Sequence, residues 1–219
     1  MKAFFSVILM CVVLAVHAQN DLPLQYTDNS DTTKPLIVYI SGDGGMNSFT
    51  NSLTKSLNKK GYAILALDAK DYFWHKKEPQ QFASAMVQAI STYLKNKKRN
   101  SFIVIGYSFG ADVTPFLATR LFPSLYAKCK HVVMLSPSAN TDFEIKFLDM
   151  LGFGGSKGKN VVNELNKVTV PVVLFFGSDE KDFPVNEVTI KKKVVVMEGG
   201  HHYDNNVDDL SAKIINEIK

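Results

Sequence analysis

Residues 102–112 read FIVIGYSFGAD. An apolar run, Phe102 to Ile105, ends abruptly in Gly-Tyr-Ser-Phe-Gly. Such a run bounded by glycine suits a strand buried on both faces. Ala111 to Leu121 then suits a helix, with Pro115 in its first turn or kinking it. Strand, sharp turn and helix form the setting in which a G-x-S-x-G serine serves as a nucleophile. At positions 106 and 110 a side chain would clash across so tight a turn. Glycine and serine are also ordinary turn residues. The motif therefore gains meaning only if the chain supplies a base, an acid and an oxyanion site in a consistent order.

Outward from this stretch, strands and helices alternate. Strands are expected at Leu36 to Ile40, Tyr62 to Leu67, Phe102 to Ile105, His131 to Leu135, Val170 to Phe176 and Val194 to Met197. Phe49, Leu53 and Leu57 recur every four residues and predict a helix from near Ser48 to Gly61. Pro79 suits the first turn of a long helix that carries Phe82, Met86, Ile90 and Leu94 on one face. Leu210, Ile214 and Ile218 mark a closing helix. Apolar strands alternating with amphipathic helices predict an α/β fold, a mostly parallel sheet flanked by helices. The segment 137–169 breaks the rhythm. Its LGFGGSKGKN run reads as a flexible loop, part of a small lid at most.

The totals bound the remaining possibilities. A chain of 219 residues with 46% hydrophobic residues holds one full core. Residues 1–18 read as a secretory signal peptide: Lys2, an apolar run from Phe4 to Val16, and a small-residue cleavage site ending at Ala18. An uncleaved anchor is the competing reading. Residues 19–35 form a polar, irregular lead-in, and 36–219 a single domain. Removal of the leader predicts a protein that is periplasmic or otherwise secreted. Cys129 is then the sole cysteine, so no intrachain disulfide is expected. The net charge of +4 falls by the one charge of Lys2 to +3, too little to argue for nucleic acid.

The catalytic parts follow from order along the chain. In an open parallel sheet, functional residues collect at the carboxyl ends of strands. Ser108 follows one such end. A serine hydroxyl needs a base, and MEGGHHYD places His201 and His202 after the last strand. Neighbouring side chains point apart, so one of the two faces Ser108; His201, directly after Gly199-Gly200, is preferred. His131 opens an apolar strand and reads as structural, and His75 has no assignment. The acid is expected after the penultimate strand, where VVLFFGSDEKDFP offers Asp179, Glu180 and Asp182. Glu180 is preferred and Asp182 is the alternative. ISGDGGMN, residues 40–47, leaves the first strand where esterases carry an oxyanion loop. The donors expected are the N–H of Phe109 and that of Asp43 or Gly44. No Gly-Lys-Ser/Thr follows, which disfavours a phosphate loop. Glycine loop, serine, acid and histidine in this order predict an α/β-hydrolase with a reduced lid or none. No metal or organic cofactor is implied.

Several stretches together resemble the VirJ/AcvB family of bacterial periplasmic α/β-hydrolase-fold virulence proteins. They are SGDGG at 41–45, Tyr72-Phe73-Trp74, GYSFGAD with Pro115-Phe116, SPSANTDFEI at 136–145, and GGHHYD at 199–204. The similarity is to the single-domain VirJ form, over about residues 36–215. Met46 and Asp71 depart from the family pattern. The resemblance implies two functions. One is hydrolysis of the lysyl ester of aminoacyl-phosphatidylglycerol, with that lipid head group at the membrane surface as partner. The other is a binding role with type IV secretion proteins. A general carboxylesterase is a third reading. A cationic lysyl group calls for acidic neighbours, for which Asp43, Asp71, Asp112 and Glu144 are candidates. Tyr72 and Trp74 are candidates to line the pocket or touch lipid.

Overall fold

The computed structural model describes residues 22–146 and 158–219. The signal-peptide reading of residues 1–18 and the centre of the expected lid lie outside these residues. Strands are β1 (Leu24–Thr27), β2 (Leu36–Ile40), β3 (Ile64–Leu67), β4 (Phe102–Tyr107), β5 (Cys129–Leu135), β6 (Asn140–Thr141), β7 (Lys159–Asn160), β8 (Val172–Gly177) and β9 (Lys192–Met197). Helices are α1 (Ser48–Lys59), α2 (Ala69–Tyr72), α3 (Pro79–Asn96), α4 (Phe109–Ala118), α5 (Pro123–Tyr126), α6 (Val161–Leu165) and α7 (Val207–Glu217).

Seven strands form one sheet in the order β1-β3-β2-β4-β5-β8-β9, parallel except for β1. Every residue of β2, β3, β4 and β8 is buried. The strand alternation sends Leu36, Val38 and Ile40 to one face with Phe82, Met86 and Ile90 of α3. Ile37 and Tyr39 go to the other, with Leu53 and Leu57 of α1 and Leu210 and Ile214 of α7. The fold is thus a parallel sheet between two helical layers, as the alternation predicts. Asn47 caps α1, its side chain accepting from Thr50 N at 3.0 Å. Pro79 opens α3.

Two expectations about local structure are corrected. The lead-in is not wholly irregular. Leu24 to Thr27 pair antiparallel with β3, the half-buried Leu24 and Tyr26 alternating with exposed Gln25 and Thr27. Four residues of alternation are too few to stand out in a polar stretch. The lead-in is held further by buried Arg99, whose guanidinium donates to the carbonyls of Asn29, Asp31 and Lys34. The helix after Ser108 begins at Phe109 and ends at Ala118, and Pro115 sits in its second turn. Burial of nearly every α4 residue against the sheet and α3 outweighs the lost N–H.

Candidate active site

The carboxyl ends of β2, β4, β5, β8 and β9 converge on one cleft of about 590 Å³. Ser108 stands at the apex of the β4–α4 turn with φ 53° and ψ −122°. This left-handed conformation is costly for a residue with a Cβ, and such strain clusters at functional sites. The glycines around it permit the turn. A Cβ on Gly106 would lie 2.4 Å from the Gly110 carbonyl oxygen, and one on Gly110 would lie 2.2 Å from that of Ile40. The Ser108 carbonyl accepts from the N–H groups of Ala111 and Asp112, and its own N–H donates to Leu135 O. Ser108 is thereby fixed to both α4 and β5.

Ser108 Oγ lies 2.8 Å from His201 Nε2, and His201 Nδ1 lies 2.7 Å from Glu180 Oε1. An ionised carboxylate only accepts, so Nδ1 carries the proton and Nε2 offers its lone pair to the serine hydroxyl. Glu180 Oε2 accepts from Ser136 Oγ and from Gly177 N, each at 2.7 Å. Burial pushes Glu180 upward, but the hydrogen bonds from His201, Ser136 and Gly177 outweigh it and hold the carboxyl below its ordinary value. Ser136 Oγ also lies 2.8 Å from the buried Tyr203 hydroxyl, which donates to Phe175 O. The Tyr107 hydroxyl donates to the His201 carbonyl at 3.2 Å. The histidine loop is thus tied to β4 through Tyr107, and Glu180 to β5 and β8 through Ser136 and Gly177.

The alternatives are placed elsewhere. His202 turns away from Ser108 and packs edge-on against Phe49. Asp179 and Asp182 line the cleft without a bond to His201, both exposed. Opposite the serine, Gly42 O accepts from Gly45 N at 3.0 Å, making a turn centred on Asp43 and Gly44. A Cβ on Gly42 would sit 3.2 Å from Ser108 Cβ, so this turn presses on the elbow. Asp43 and Phe109 line the cleft and Gly44 does not. Among the described residues the N–H groups of Asp43 and Phe109 have no partner.

Of the substrate-binding candidates, Asp112 and Glu144 line the cleft and Tyr72 and Trp74 do not. Tyr72 is 7% exposed and packs on Phe73 and Phe82, where its ring completes an aromatic layer beneath α3. Trp74 is 48% exposed, outside the cleft wall. An aromatic run carries no sign of which ring faces inward, and neither ring lines the cleft. Asp112 is buried, its Oδ1 accepting from Ser138 N at 2.6 Å. Burial pushes its carboxyl well above the ordinary aspartate range; the Ser138 N–H opposes this and nearby Asp43 adds to it. Asp43, Asp112, Asp142, Glu144, Asp179 and Asp182 join Glu180 around the cleft, and no lysine or arginine among the described residues lines it. Part of the segment expected as a lid, 138–145, forms the cleft wall, with β6 paired antiparallel to β7. Among the described residues no cluster of His, Cys, Asp and Glu could hold a metal.

Sequence reasoning missed Ser136, Tyr203 and Tyr107. Ser136 had a signal, since it directly follows the end of β5, beside the elbow strand. The two tyrosines act through hydroxyls whose partners are remote in sequence, and nothing local marks them.

A strand-borne serine elbow on a mostly parallel, helix-flanked sheet defines an α/β-hydrolase fold, and solved structures agree. Est1E from Butyrivibrio proteoclasticus, solved with ferulic acid, is 16% identical with a TM-score of 0.64, over 91% of this chain and 97% of that one. An esterase domain from Rhodothermus marinus is 13% identical with a TM-score of 0.62, over 90% and 94%. A dienelactone hydrolase from Anabaena variabilis is 14% identical with a TM-score of 0.61, over 90% and 92%. No curated protein matches by sequence. The family described as "Bacterial virulence protein (VirJ)" matches residues 34–219, and the chain belongs to that family.

Proposed function

We propose that this protein is a serine hydrolase of carboxylic esters whose substrate carries a cationic acyl group, the lysyl ester of aminoacyl-phosphatidylglycerol being the preferred case. The observation that carries the reading is the unbroken chain of hydrogen bonds from Ser108 through His201 to Glu180, opening on a cleft walled by carboxylates. In this mechanism His201 Nε2 takes the proton as Ser108 Oγ attacks the ester carbonyl. The N–H groups of Phe109 and Asp43 receive the developing oxyanion, and the α4 N-terminus adds its dipole. The imidazolium returns its proton to the departing glyceryl oxygen. A water, deprotonated by the same nitrogen, then releases free lysine and Ser108. Glu180 holds the Nδ1 proton in place throughout and pairs with the imidazolium.

The choice of a cationic acyl group rests on electrostatics. Lys146 pairs with Asp142 and Glu144, and the remaining carboxylates of the cleft, Asp43, Asp112, Asp179 and Asp182, still favour an ammonium over an anion. Asp112, whose carboxyl burial pushes well above its ordinary range, gains a counter-ion when an ammonium arrives and ionises more readily against it. The family resemblance supports lysine as the acyl group. Export to the periplasm would put the enzyme beside its lipid.

Ser108→Ala tests the reading. The variant is expected to lose turnover of lysyl-phosphatidylglycerol and covalent labelling by a serine-reactive phosphonate while keeping its melting temperature. A variant that retains full biological function would make the fold a binding scaffold for secretion partners. Equal kcat/KM on the lysyl lipid and on a neutral short-chain ester would refute the cationic substrate.

A further inference from the structure

Strand β9 is one edge of the sheet, and among the described residues no backbone hydrogen bond reaches its outer side. Its sequence, KKVVVM at 192–197, continues into Glu198. Val194 is 38% exposed and Val196 60%, unusual for valines on a strand. They share one face; beside it Phe183, Val185 and Ile190 pack into the core, and the Val188 carbonyl accepts from Lys192 Nζ at 2.6 Å, leaving the two valines beyond exposed. On the opposite face Val195 packs into the cluster that includes α7. An exposed apolar edge strand with free backbone groups is a template for pairing.

The pattern of free groups is readable. Met197 O accepts from Ser178 N, so odd-numbered residues of β9 turn their backbone groups toward β8. In a parallel pair the alternate residues, 192, 194 and 196, turn theirs outward. Two antiparallel copies of β9 can therefore meet only with even-numbered residues opposite even-numbered ones. Centring the pair on Val195 sets Val194 opposite Val196 and Lys192 opposite Glu198. Moving the centre to Val194 or Val196 sets a valine against Lys192 or Glu198 instead. One register thus joins four valines in a continuous strip and closes each end with an opposite-charge pair. Glu198 is exposed and has no ion-pair partner among the described residues.

We infer that this chain forms a twofold dimer through β9, antiparallel and centred on Val195, so that the sheet of one copy continues into that of the other. The occupant of the edge is a second copy because the strand is complementary to itself in both shape and charge. The twofold closes the assembly, since each copy spends its only β9 edge. It lies outside the Ser108 cleft and does not depend on the proposed reaction.

Sedimentation velocity of the mature chain across 1 to 100 µM (about the range in which modest interfaces dissociate) tests the inference. The wild type is expected to sediment as a dimer at the upper end. Val196→Lys, a substitution at an exposed position, is expected to raise the dissociation constant at least about tenfold, with an unchanged circular dichroism spectrum and unchanged turnover per protomer on a soluble ester. Lys192→Glu and Glu198→Lys are each expected to weaken the dimer, and the two together to restore it, because the swap recreates the pair across the twofold. A wild type that stays monomeric at 100 µM overturns the inference. So does a dimer indifferent to Val196→Lys, or a charge swap that adds the two losses.

Discussion

Replacing Glu180 with glutamine should abolish turnover through a proton in the wrong place, not through lost structure. Glu180 Oε2 accepts two donors, Ser136 Oγ–H and the Gly177 N–H, and Oε1 accepts the His201 Nδ1 proton. An amide has one accepting oxygen. If that oxygen stays with Gly177 and Ser136, the NH₂ group faces Nδ1. Nδ1 must then accept, and the imidazole proton moves to Nε2, where it points at Ser108 and blocks its deprotonation. The opposite amide orientation sets NH₂ against the Gly177 N–H, two donors face to face in a half-buried site, which costs about 1–3 kcal/mol. The first orientation therefore prevails. A tautomer error of this kind in a serine triad costs about 10⁴-fold in kcat, or about 5.5 kcal/mol of transition-state stabilisation. The assay is kcat/KM on a chromogenic aminoacyl ester beside a thermal melt. The expected result is a loss of that order at a melting temperature within a few degrees of wild type. Asp182→Asn, which alters a carboxylate with no bond to His201, is expected to stay within about threefold. A Glu180→Gln variant within tenfold of wild type, or an Asp182→Asn variant that is dead, would refute the assignment of the acid.

Two other substitutions probe the elbow and the cleft wall. Gly110→Ala brings a Cβ to 2.2 Å from the Ile40 carbonyl oxygen and 2.5 Å from that of Ser41. Neither backbone atom can yield, so the variant is expected to lose more than about 3 kcal/mol in urea unfolding or to fail to fold. Wild-type stability would show that the turn is looser than its geometry. Asp112→Asn keeps an oxygen for the Ser138 N–H and removes the ionisable group. The unfolded chain releases this proton near pH 3.9. The folded carboxyl holds it to higher pH, so stability declines as pH rises above that value and until the folded group ionises. The variant should accordingly melt higher than wild type at pH 7, with the gain vanishing below about pH 4. It should also raise KM for a lysyl ester by about tenfold or more while leaving a neutral ester unaffected. A pH-independent difference in melting would show that Asp112 ionises normally in the fold.

The frame of this protein was legible because each part of it leaves a local mark. Doubly buried strands are apolar throughout, and α1, α3 and α7 repeat their core residues every three to four positions. The elbow was legible for a sharper reason. Gly106 and Gly110 answer to contacts with backbone atoms, which no other residue type can satisfy, so the constraint is written directly in the sequence. What stayed hidden depends on direction. Two histidines stand side by side at 201 and 202, and only the fold turns one toward Ser108 and the other toward Phe49. Tyr72 and Trp74 are two residues apart, yet one is core and the other surface, because α2 ends between them. The support of Glu180 by Ser136 and Tyr203 joins residues 44 and 67 positions from Ser136, through single hydroxyls. The β9 edge follows the same logic from the other side. A run of valines after lysines reads as a buried strand, and only the strand order places it at the edge of the sheet. A sequence can thus specify which residues a site needs well before it shows which way they face, and the tests that discriminate here, Glu180 against Asp182 and Val196 against its own copy, are all tests of direction.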